Sequence, residues 1–146
     1  MRTILPALAA SLLLLPASPV PADGEAYSKA VSAKTLLRAA RTAAGAPLDF
    51  PDEGSAEVVA VEVRIPAGTS TGWHVHDHAG FAYVLEGKLK VQLSDSSSRE
   101  FSPGEAFAEV ANTSHNGTAL AKDVKLIAFF LVDSGKPVSR KTPPAP

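Results

Sequence analysis

From residue 57 the chain alternates. Val59, Val61, Val63 and Ile65 fall on one face of an extended chain, and Val58, Ala60, Glu62 and Arg64 on the other. This predicts a strand over 57–65, stopped by Pro66 and Gly68. Shorter runs at 73–75 and 81–85 predict two more. Glu86-Gly87 supplies a tight turn into 88–93, where Leu89, Val91 and Leu93 share a face. Ser94 to Ser98 and Pro103-Gly104 read as turns. The run 124–132 is apolar on both sides and reads as a buried strand. Many short strands with Gly and Pro between them predict an all-β sandwich or barrel. No internal repeat and no second domain is visible.

The pattern is different at both ends. Arg2 precedes an almost wholly apolar run from Ile4 to Leu15, followed by Pro-Ala-Ser-Pro-Val-Pro-Ala with Val20 and Ala22 at signal-peptidase spacing. The run is shorter than the roughly 20 residues that span a bilayer. Residues 1–22 are therefore expected to be a cleaved secretory signal, an uncleaved anchor being the alternative. The mature protein would start near Asp23, be periplasmic or secreted, and have no stable membrane span. Residues 23–55 form an N-terminal segment, partly irregular. Within it, 30–44 suits a helix by propensity and 35–41 a short strand, and both stay open. The barrel is placed at 56–134, and 135–146, ending Thr-Pro-Pro-Ala-Pro, is expected to be a flexible tail.

With 146 residues there is room for one domain and one core. Its 14 basic and 15 acidic residues form no basic stripe, so nucleic acid is not an expected partner. Cysteine is absent. That excludes disulfides, a lipid-bearing Cys, Cys-ligated metal and a thiol nucleophile.

The chemistry lies in four histidines: His74, His76, His78 and His115. On an extended strand, residues two apart point the same way, so His74 and His76 share a face and Val75 takes the other. Two adjacent imidazoles with a distant third suit a borderline divalent cation such as Fe, Zn, Mn, Ni or Cu. Ordinary hydrogen-bonded histidines are the competing reading.

Residues 66–89, Pro-Ala-Gly-Thr-Ser-Thr-Gly-Trp-His-Val-His-Asp-His-Ala-Gly-Phe-Ala-Tyr-Val-Leu-Glu-Gly-Lys-Leu, resemble the first motif of the cupin superfamily. Gly68, His74, His76 and Gly87 match its spacing. Gly104 and His115 match the second motif, with sixteen residues between Gly87 and Gly104. The resemblance covers about 56–132. It implies a double-stranded β-helix (jelly-roll) barrel, often dimeric, with a metal in its mouth on His74, His76 and His115. Cupins act as dioxygenases, isomerases, lyases, decarboxylases, sugar-binding modules and storage proteins, so the fold does not choose a function.

The motifs break where the chemistry is sharpest. Gly80 stands where the resemblance calls for a metal-binding Glu. Val110, Asn112 and Ala119 replace the Pro, Gly and Asn of the second motif. Asn112 can adopt the left-handed turn that Gly would supply. Without the carboxylate, three neutral imidazoles leave a divalent ion its full charge and an open position, which favours anionic or chelating ligands. Small residues at Gly80 and Ala82 are expected to leave room for such a ligand. His78 and Glu109 are the candidate additional ligands, Asp77 reads as a turn residue, and Tyr83 and Phe107 as core. The expected function is an exported cupin binding one divalent metal and a small ligand, with dioxygenase-like catalysis, or isomerase or lyase chemistry, open to it. The alternative is a non-catalytic small-molecule or sugar-binding module. No catalytic base or nucleophile can be named.

Overall fold

The computed structural model describes residues 34–52 and 56–144. The chain divides into units 1–35 and 36–146, and every element below belongs to the second. The expected signal at 1–22 lies outside the described residues.

The alternation of 57–65 produces β1 (Ala56–Ile65), whose Val59, Val61, Val63 and Ile65 turn inward while Val58 stays 65% exposed. It pairs antiparallel with β8 (Val124–Asp133) in unbroken register from Ala56 opposite Asp133 to Ile65 opposite Val124. On β8's other side lies β3 (Gly80–Glu86), and beyond it β6 (Ala106–Ala108), giving a four-stranded sheet β1-β8-β3-β6. The second sheet runs β5-β4-β7-β2-β9. Its members are β2 (His74–Val75), β4 (Leu89–Leu93), β5 (Ser98–Phe101), β7 (His115–Ala119) and β9 (Arg140–Lys141). The described residues contain no helix, and 34–52 carry only a bridge between Arg41 and Pro47.

The inward faces of both sheets make one core. Val84, Val110 and Val124 are wholly buried, and Phe101 stacks on Phe107 with ring centroids 3.9 Å apart. Burial of this aliphatic and aromatic surface holds the barrel without disulfides. Gly87 makes the turn after β3 at φ +73°, where an added Cβ would collide with the carbonyl of Asp123.

Three expectations change. The strand at 124–132 is not buried on both faces: Val124, Leu126, Ala128, Phe130 and Val132 face the core, but Phe129 is half exposed on the outside. Being central in the sheet protects its backbone, not its outer side chains. Tyr83 likewise stands on the outer face beside Ile127 and Phe129, because its neighbours Ala82 and Val84 take the inward positions; Phe107 is core. The stretch expected to be a tail after Asp133 has partners: β9 pairs with β2, and the Thr142 amide donates to the Trp73 carbonyl at 3.0 Å. The free edge of β2 offers unpaired backbone groups that this otherwise polar segment satisfies.

Candidate metal centre

Residues 66–72 run along β7 and deliver the chain to β2. The Thr71 amide donates to the Gly117 carbonyl at 2.8 Å, and the Gly117 amide donates to Thr71 Oγ1 at 3.0 Å. This seats His74 directly opposite His115 across the β2–β7 pair. Cross-strand residues in that relation share a face, so the two rings meet. His76, one residue past β2, lies beside Ala111, where Asn112 at φ +58° donates its amide to the His76 carbonyl at 2.8 Å. The left-handed turn expected of Asn112 is therefore present.

The three rings converge. Centroids lie 4.4 Å (His74–His115), 5.0 Å (His74–His76) and 5.1 Å (His76–His115) apart. Each ring offers one nitrogen, and these lie within 4.8 Å of one another. Nδ1 of His74 donates to the Gly72 carbonyl at 2.8 Å, of His76 to the Val138 carbonyl at 2.6 Å, and of His115 to the Thr113 carbonyl at 2.8 Å. A carbonyl oxygen only accepts, so the proton sits on Nδ1 and Nε2 keeps its lone pair in all three rings. Burial holds His76 and His115 down at about 4, each opposed by its carbonyl partner and helped by the neighbouring imidazoles. Neutral imidazoles with fixed tautomers are the form that binds a borderline divalent ion. The donor set fits such an ion.

The other candidates are placed elsewhere. His78 turns away from the three rings, with Nε2 3.4 Å from Asp133 Oδ2 and Nδ1 3.8 Å from Asp49 Oδ2. Asp77 forms an ion pair with Arg140 of β9, which holds its carboxyl below the usual range. Glu109 lies outside the three-nitrogen group but lines the same cavity. That cavity is about 560 Å³. Its apolar wall includes Val61, Val63, Leu89, Val91, Leu126 and Phe130, and its polar groups include Thr71, Glu109, Lys141 and Thr142 beside the histidines.

The space is not where small residues predicted it. A Cβ on Gly80 would overlap the ring of Phe130, which itself lies 4.5 Å from the His76 ring. Phe130 has filled the volume that Gly80 vacated, and neither Gly80 nor Ala82 lines the cavity; the room lies between the inward faces of β1, β4 and β8. Sequence reasoning also missed the Val138 carbonyl and Lys141. A backbone acceptor supplied by a remote strand leaves no mark in residue type.

A family model described as "Cupin domain" matches residues 61–132. Among solved structures, the chain is similar to the DMSP lyase DddQ from Ruegeria pomeroyi DSS-3, with 17% identity and a TM-score of 0.51. That match covers 67% of this chain and 47% of that one. Crystal structures of the DMSP lyases RdDddP and RnDddQII match with 20% identity and a TM-score of 0.50, over 59% of this chain and 44% of that one. Oxalate decarboxylase from Bacillus subtilis matches with 18% identity and a TM-score of 0.50, over 60% of this chain and 24% of that one. The chain thus spans less than half the length of each, and the likeness is one of fold. No curated protein matches. The match over 61–132 identifies that stretch as a cupin domain of the cupin superfamily, and its two antiparallel sheets have the fold of these structures.

Proposed function

We propose that this is an exported cupin that holds one divalent metal on His74, His76 and His115 and binds a small anionic or chelating ligand beside it, with metal-dependent, dioxygenase-like catalysis as its activity. The observation that carries the reading is the shared tautomer: three backbone carbonyls accept from the three Nδ1 groups and leave each Nε2 a free lone pair, in a trio whose ligand nitrogens lie within 4.8 Å of one another. A bound ion would supply Lewis acidity to a ligand oxygen. The aliphatic wall would exclude water and pack the ligand's carbon frame, while Lys141 and Thr142 would meet polar groups of the ligand.

Metal analysis after reconstitution with Fe, Zn, Mn or Ni is expected to give about one equivalent, lost in His115→Ala. Less than a tenth of an equivalent with every metal overturns the proposal. The mostly apolar lining equally suits a non-catalytic binding module. Oxygen consumption with diketone, thiol or flavonoid substrates supports the enzyme, and saturable binding without product supports the module. Export and self-association complete the proposal: the mature protein should begin near Asp23 and sediment as a homodimer, with Val58 and Phe129 of the outer sheet face covered. A full-length cytoplasmic monomer overturns both.

A further inference from the structure

A buried acid shares the cavity with the three histidines. Glu109, just past β6, is 8% exposed and faces the same space. Its amide donates to the Gly80 carbonyl at 2.8 Å, and its Cβ lies 3.4 Å from where a side chain at position 80 would begin. Among the described residues no Lys or Arg comes within ion-pair distance of its carboxylate; the ion pairs lie at the surface. Burial accordingly pushes its carboxyl up to about 7, against only the backbone amide of Val110. A carboxylate desolvated without a cationic partner is costly, and protein interiors seldom keep one unless something binds it. The same cavity holds the opposite imbalance, because three neutral imidazoles leave a divalent ion its whole charge.

We propose that Glu109 is the charge-balancing carboxylate of the metal centre, entering the cavity from the end of β6 to offset the ion held by the three histidines. The inference rests on the metal-binding reading above. Glu109 stands outside the three-nitrogen group, so it balances the ion while leaving the ligand-facing positions open. Phe130 closes position 80 to a side chain, since its ring occupies the place of a Gly80 Cβ.

The test compares Zn(II) and Co(II) affinity of the full chain with that of Glu109→Gln and Glu109→Asp, alongside thermal melts of the metal-stripped proteins. The Gln variant should bind both ions about 10–100-fold more weakly, as loss of an outer-sphere partner usually does. Its stripped form should melt no lower than the parent, since a neutral isostere removes an unpaired buried acid. The Asp variant should recover part of the affinity. Equal affinity in the parent and Glu109→Gln overturns this inference and leaves the function reading intact. A parent that binds no metal defeats the function reading itself. A Gln variant that does not fold also overturns the inference, because it would make Glu109 a structural group.

Discussion

At the scale of single residues, the centre depends on which way each imidazole holds its proton. Gly72, Thr113 and Val138 contribute no side chain to this; their carbonyls choose the tautomer. The same burial makes the metal-free protein sensitive to acid. His76 and His115 titrate near 4 in the fold against 6.5 when free, so from pH 6.5 down to 4.5 the unfolded chain takes up about two protons that the native rings refuse. Glu109 works the other way. Raised to about 7 from 4.5, it holds roughly one proton that the unfolded chain releases over that window. The remaining ionisable groups on the cavity are His74 and Lys141. The net uptake approaches one proton only below about pH 5.5, so these groups predict that metal-free stability falls by roughly 1.4 kcal/mol per pH unit from about pH 5.5 to 4.5, and more gently above that. In Glu109→Gln the opposing proton is gone and the slope should about double. Urea midpoints in EDTA across that range check this, and identical slopes in the two proteins would refute it.

At the scale of elements, the shortest strands matter most to the site. β2 is two residues long and is held by β7 on one side and β9 on the other. β9 belongs to a strap that also brings the Val138 carbonyl to His76, pairs Arg140 with Asp77, and places Ser114 and Thr142 hydroxyls 2.6 Å apart. The exposed Arg140–Asp77 pair adds little stability alone. The carbonyl adds aim. Truncation after Gly135 should therefore weaken metal binding by about 10–100-fold while the two-sheet core keeps its strand signature in circular dichroism. Undiminished affinity in the truncated chain would show that the strap does not orient His76. The strap was invisible to pattern reading because Lys136 to Lys141 carries no alternation, and its strand exists only where β2 leaves an edge to pair. β5 and β7 were hidden for a similar reason. Apart from Phe101, Ser-Arg-Glu-Phe and His-Asn-Gly-Thr-Ala are polar or small, and β4 between them recruits both by its hydrogen bonds. The long strands β1 and β8 and the hairpin turn at Gly87 were legible because periodicity and turn chemistry are local.

At the scale of the whole molecule, residue type and spacing determined the all-β class, the inward faces of β1 and β4, and the histidine trio as a candidate metal-holding group. These follow from side-chain period and ligand chemistry, which need no knowledge of what lies across the barrel. Tertiary structure alone decided that His115 stands opposite His74, that His78 turns toward Asp49 and Asp133, and that Phe130 takes the space left by Gly80. It alone brought Glu109 into the histidines' cavity and a carbonyl from beyond Asp133 to His76. The physical reason is distance along the chain: His76 and Val138 are 62 residues apart in sequence but joined by one hydrogen bond, and only closure of the two sheets brings them together.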